Sequence, residues 1–205
     1  MKKILTFLMV FVALFTFVAC DTGNSSSGNG GNGTSNVETI NPDDVAKEFA
    51  DCTTDVDVEN MVISDGNWTV IGIYPDTGRL QSVTLQATVK DNSFTYTSGT
   101  RASIFDASIM FKEDPELLEK LRNAKNDEEK NALFVGMPEG TTLTWDGLIC
   151  TMTQPLVQED LDDYSDMQFS SLPEFAVVKC NADKTKYVIS IAGSEVTETY
   201  YIEKN

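Results

Sequence analysis

Histidine, the residue that most often moves protons in enzymes, is missing from this 205-residue chain. Its absence excludes the usual zinc sites and every Ser-His or Cys-His nucleophile pair. Carboxylates are then the acid and base groups left, as in glycosidases, and the candidates are Asp160, Asp162 and Asp163. They sit in an acidic stretch with no partner fixed by spacing, so a solvated loop is the expected reading and no catalytic set is assigned. Asp55, Asp57 and Glu59 alternate with Val56 and Val58, which suggests an extended segment with three acids on one side. No turn glycine or further ligand set follows at Ca²⁺-loop spacing, and neither a metal nor another cofactor is expected.

Cysteine supplies the other reactive groups: Cys20, Cys52, Cys150 and Cys180. The last three lie far apart, without the C-x-x-C spacing of a metal or redox motif. Alternation places Cys150 on a strand face with Leu148 and Met152, and Cys180 on one with Ala176 and Val178. A Cys150–Cys180 disulfide is therefore one expectation in an exported protein. Three buried free thiols, acting as small apolar residues, is the other.

Export itself is legible in the first twenty residues. Lys2 and Lys3 precede an apolar run from Ile4 to Ala19 interrupted by Thr6 and Thr16, which is the layout of a secretory signal. As a helix that run would be roughly 24 Å long, short of a ~30 Å hydrocarbon core. It ends in Phe17-Val18-Ala19-Cys20, which resembles the lipobox of bacterial lipoproteins, with Phe17 in place of the usual Leu. The resemblance implies cleavage before Cys20 and acylation of its thiol and amine. Cys20 is then the lipid attachment, membrane lipid is a partner, and the mature protein belongs to the bacterial cell envelope on an extracytoplasmic face. Two or three acyl chains make such an anchor lasting where one would be marginal.

Removing the signal (1–19) takes away two lysines, leaving 13 basic against 32 acidic side chains, a formal balance of −19. Nucleic acid and anionic head groups would be repelled. Residues 20–40 hold the acylated cysteine and a Gly/Ser/Asn-rich tether with little to bury, and 41–205 reads as a single globular β-rich domain.

Within that domain Asn41-Pro42 starts a short helix, and Asp114-Pro115 and Asn126 with Glu129 start a helical insert. Between and after them come strands at about 68–74, 80–90, 94–97, 101–111, 141–145, 148–153, 175–180, 186–191 and 196–202, with Asp146-Gly147 as a tight turn and 154–173 as an acidic loop. The cleanest strand puts Val83, Leu85, Ala87 and Val89 on one face. The fold class is mainly β (α+β): an antiparallel meander of eight or nine strands, closing as a barrel or sandwich.

Gly66-Asn67-Trp68 at the head of the first long strand resembles the G-x-W signature of lipocalins. That resemblance implies an eight-stranded cup for apolar ligands with Gly66 and Trp68 at its floor. The family places an arginine after the last strand against that tryptophan; here the last strand leads to Lys204. Two functional expectations follow: a noncatalytic lipoprotein module that contacts another macromolecule, and a lipocalin-like carrier of a small apolar ligand. They differ in whether the inward strand faces pack together or line a cavity.

Overall fold

Local hydrogen bonding sets the helices where the sequence marks them. The Asn41 side chain accepts from the Asp43 N–H at 3.0 Å and starts α1 (Pro42–Glu48). Asp114 accepts from the Leu117 N–H at 2.9 Å and starts α3 (Pro115–Asn123). At α4 (Asp127–Asn131), Asn126 accepts from the Glu129 N–H, while Glu129 accepts from the Lys125 N–H one residue before the cap. The computed structural model describes residues 40–76, 79–165, 172–173, 175–193 and 197–205. The segment expected to be a signal, Cys20 and the expected tether through residue 39 lie outside these.

Nine strands form one antiparallel sheet. They are β1 (Thr54–Val56), β2 (Gly66–Asp76), β3 (Arg79–Lys90), β4 (Ser93–Asp106), β5 (Thr142–Asp146), β6 (Ile149–Pro155), β7 (Val177–Cys180), β8 (Lys186–Ala192) and β9 (Thr197–Lys204). Their order is β1-β7-β8-β9-β2-β3-β4-β6-β5. The mainly β class and strand count match the sequence reading; the barrel does not. The sheet is open, with β1 and β5 at its two edges.

The register sorts the side chains onto two faces. Trp68, Val70 and Gly72 of β2 stand opposite Ala87, Leu85 and Val83 of β3 and opposite Lys204, Ile202 and Tyr200 of β9. This core face continues through Tyr187 and Ile189 of β8, Phe105 of β4, and Cys150 and Met152 of β6, all buried. On the other face α1 lies across the middle of the sheet, where Val45, Phe49 and Cys52 pack against Ile71, Ile73, Leu80, Val188 and Tyr201. Both faces of the central strands are thus covered, which explains the near-continuous apolar run in β2.

Three local expectations change. The break expected between strands at 94–97 and 101–111 is absent: β4 runs through Ser98 and Gly99 with a register shift opposite Gln86/Ala87. Glycine is needed there because a Cβ at Gly99 would lie 2.8 Å from Leu156 Cδ1 and Leu85 Cδ2. The strand expected to reach Phe111 ends at Asp106, whose carboxylate accepts from the Ser108 N–H (2.8 Å) and hydroxyl (2.6 Å) and starts α2 (Ala107–Met110). Ile109, inside the expected strand, lies in α2 and is exposed. The expected acidic loop contains α5 (Gln158–Ser165), with Leu161 and Tyr164 buried three residues apart on one side.

The β5 edge is not left open. Asp127 of α4 accepts from the Trp145 N–H at 3.2 Å, Asn131 donates to the Leu143 carbonyl at 3.2 Å, and Asn131 also accepts from the Trp145 indole at 2.8 Å. Side chains of a helix here satisfy the edge groups that would template pairing with another chain.

Candidate functional site

The sheet is open, so Gly66 and Trp68, expected at a barrel floor, stand instead at the head of β2. Gly66 begins β2 with φ +140°, and Trp68 two residues later is fully buried, its indole donating to the Ser64 carbonyl at 2.9 Å. Asn92, in the β3–β4 turn at φ 62°, accepts from the Ile63 N–H and donates to the Met61 carbonyl, which holds buried Met61 and Ile63 across this end. Lys204 completes the closure: Nζ lies 5.8 Å over the Trp68 ring and donates to Ser64 Oγ at 2.8 Å and to the Asp65 carbonyl at 2.9 Å.

The thiols do not meet in the expected pair. Cys52, Cys150 and Cys180 are all free and buried. Strand β6, with Cys150, is separated in the sheet from β7, with Cys180, by β8, β9, β2, β3 and β4. The bridge assumed that the chain returns to a neighbouring strand after 154–173, whereas β7 joins the far end of the sheet. Cys52 packs on the α1 side, while Cys180 shares the core face with Tyr187. Burial, followed by Asp51, pushes the Cys52 thiol up to about 11; burial, followed by Asp127, pushes Cys150 up to about 12. These are inert structural thiols.

The carboxylate sets serve local structure. Asp57 accepts from the Glu59 N–H at 3.1 Å and caps a 3₁₀ turn, Val58–Asn60, while Asp55 lies 4.0 Å from Lys179 on neighbouring β7. Asp162 accepts from Gln158 at 2.8 Å. Asp160 is the exception to the solvated reading: Oδ2 accepts from the Val157 N–H at 3.0 Å, and Oδ1 pairs with Arg101 at 3.3 Å, both side chains largely buried. Among the described residues no group of three or more His, Cys, Asp and Glu side chains could hold a metal ion.

Sequence reasoning missed a concentration of perturbed titratable groups among the described residues, which runs along the core face from Tyr96, opposite Ala87 in the row of Trp68, to Tyr200, opposite Gly72, and Tyr74 beyond it. Leu156, Leu161 and Tyr164 bring α5 over β4, where Tyr164 packs edge-on against Tyr96 at 6.4 Å and contacts Arg101. Tyr74 packs edge-on against Tyr200 at 5.7 Å; the absent side chain of Gly72 leaves room for the Tyr74 ring, since a Cβ there would lie 2.5 Å from the hydroxyl. The Tyr200 hydroxyl donates to Glu198 Oε2 at 3.1 Å. Burial raises the pKa of Tyr74, Tyr96, Tyr164 and Tyr200 and that of Glu198, whose Tyr200 hydrogen bond partly opposes the shift. Tyr96 Oη and Ser103 Oγ are buried without a hydrogen-bond partner. The arrangement has no activated nucleophile; it can hold a proton at Glu198 and form hydrogen bonds. Its only sequence signal is weak: tyrosines and Glu198 at inward positions of strands.

Outside the sheet, α3 and α4 border a shallow groove of about 490 Å³ lined by Glu116, Glu119, Lys120, Asn123, Ala124, Glu129 and Leu133. Comparison of the chain with models of known families, with curated proteins and with solved structures returned no match.

Proposed function

We propose that this chain is a lipid-anchored extracytoplasmic lipoprotein of the bacterial cell envelope whose β domain is a noncatalytic module for contact with another macromolecule. The anchoring rests on the Phe17-Val18-Ala19-Cys20 lipobox after an apolar run, followed by a tether. The observation that carries the interaction role is that the chain's own side chains fill the core face where a carried ligand would sit. Leu156 lies against Leu85 and Gly99, Tyr164 covers Tyr96, and Val83, Leu85, Ile189 and Ile202 are almost wholly buried. Contacts with a partner then fall to the outer surface, where the acidic balance disfavours nucleic acid and the head groups of the membrane.

A second reading, a lipocalin-like carrier, is favoured by the Lys204–Trp68 contact, in which a cation from the end of the last strand covers the tryptophan of the G-x-W motif. One experiment separates the two: solvent extraction and mass spectrometry of natively purified protein, run beside cross-linking of the full chain in its membrane. The interaction role expects a discrete cross-linked protein and no stoichiometric apolar molecule. A stoichiometric apolar molecule would overturn it in favour of the carrier.

A further inference from the structure

Strand β5 carries its own hydrogen-bonding complement. Thr144 is the Cα partner of Thr151, while the Leu143 carbonyl and the Trp145 N–H on either side of it bond to α4 instead of β6. In an antiparallel ladder alternate residues turn both backbone groups to one side, so Leu143 and Trp145 face the outer edge and Thr144 faces β6. A two-fold axis through Thr144 would set Leu143 of one copy against Trp145 of another, and each Trp145 N–H would meet the other copy's Leu143 carbonyl. Thr144 would face its own counterpart, a pair that favours strand association, and residues 142–145 bring no charge into the contact.

Helix α4 occupies the same two groups with an imitation of a strand. The Asp127 carboxylate takes the place of a carbonyl on the Trp145 N–H, and the Asn131 amide that of an N–H on the Leu143 carbonyl, each at 3.2 Å. The hold is mostly polar: α4 buries none of its residues, Lys130 donates to the Gly147 carbonyl at 2.6 Å, and Phe134 beyond the helix rests on Trp145 at 5.6 Å. We propose that β5 is a docking edge for a second copy of this chain, closed by α4 in the single chain and uncovered when α4 moves aside. Each copy then exchanges side-chain bonds for backbone bonds at the same two residues. Asp127, Glu128 and Glu129 leave the edge with the helix, which removes like charge from between the approaching copies. The inference rests on the sheet edge alone and stands whether or not the chain also contacts another macromolecule.

The test is sedimentation of the full chain in detergent over about a hundredfold range of concentration, at ~0.15 M salt, where exposed charges are screened beyond ~8 Å. Asp127→Ala with Asn131→Ala should reach half-dimer at a concentration at least about tenfold below that of the original chain. Adding Leu143→Pro, which removes an N–H turned to the outer edge, should return the variant to monomer. A double variant that dimerises no more readily than the original chain, or one that dimerises despite Leu143→Pro, overturns the docking edge. If either variant does not fold, single cysteine substitutions in the original chain decide. Under a small disulfide oxidant Thr144→Cys should link two copies, whereas Thr142→Cys, about 14 Å from its counterpart across the same axis, should not. No link at 144, or equal linking at both positions, overturns it.

Discussion

Lys204 and Trp68 are register partners on adjacent strands, and Lys204 bends back so that Nζ lies 5.8 Å from the indole centroid while reaching Ser64 and Asp65. One side chain thereby ties the last strand to the chain segment that leads into the first long one. Replacing Trp68 by Ala should cost about 3–5 kcal/mol, because it empties a fully buried site. Lys204→Met, which keeps the stem and removes the ammonium, should cost about 1 kcal/mol. Denaturant melts of both variants check the pair, and equal costs would show that the tryptophan is not the anchor.

The Arg101–Asp160 ion pair should behave as a buried link that is costly to break from one side. Asp160→Leu or Arg101→Met alone should destabilise by about 3 kcal/mol, whereas the two together should cost clearly less than the sum of the singles. A double-mutant cycle by thermal or urea unfolding measures this. Strict additivity would mean that α5 is not held to β4 through the pair.

Gly99 should tolerate no side chain. A Cβ there would meet Leu156 and Leu85 at 2.8 Å and the Thr84 carbonyl at 2.9 Å, so Gly99→Ala should cost about 1–3 kcal/mol by overpacking. Gly147, where a Cβ would meet nothing within 4 Å, is the contrasting site; there the φ of +60° sets the penalty instead. Urea midpoints of the two alanine variants give the comparison.

Thiol titration should return none in the folded domain at pH 8 and three in denaturant, since all three cysteines are buried and free. A count of one in denaturant without reductant would reveal a disulfide, and peptide mapping of it to Cys150 and Cys180 would contradict the sheet order that separates them.

Glu198 gives a pH dependence with a definite sign. Its folded pKa is raised by burial, so its stabilising effect is complete below the unfolded value, about 4.3, and is lost as pH rises through the folded one. The Tm difference between the original chain and Glu198→Gln should therefore shift against the original chain across that window. A difference that does not vary with pH contradicts the assigned environment.

What the sequence showed and what it concealed divide by range. The caps at Asn41, Asp114 and Asn126 act within three residues, and the alternation of Val83, Leu85, Ala87 and Val89 acts within one strand, so each was legible. The start of α2 was equally local, but Asp106-Ala107-Ser108 lay inside an alternating apolar pattern that read as strand. Helix α5 has few apolar residues and takes its stability from Arg101, Tyr96 and Gly99, more than fifty residues earlier. Sheet order has the same origin: Thr54 pairs with Cys180 and Trp68 with Lys204, and nothing near either residue encodes its partner. The residues of the candidate proton site were visible, but their convergence was not.

The proposed mature protein begins at Cys20 and is held by its acyl chains, with the acidic domain carried on the tether. Intact-mass and N-terminal peptide mass spectrometry of the protein purified from membranes tests this most directly. The predicted result is a mature chain starting at Cys20 and heavier by its lipid, with Cys20→Ala neither processed there nor acylated. A mature chain starting elsewhere, or an unmodified Cys20 on a protein still bound to the membrane, would contradict it.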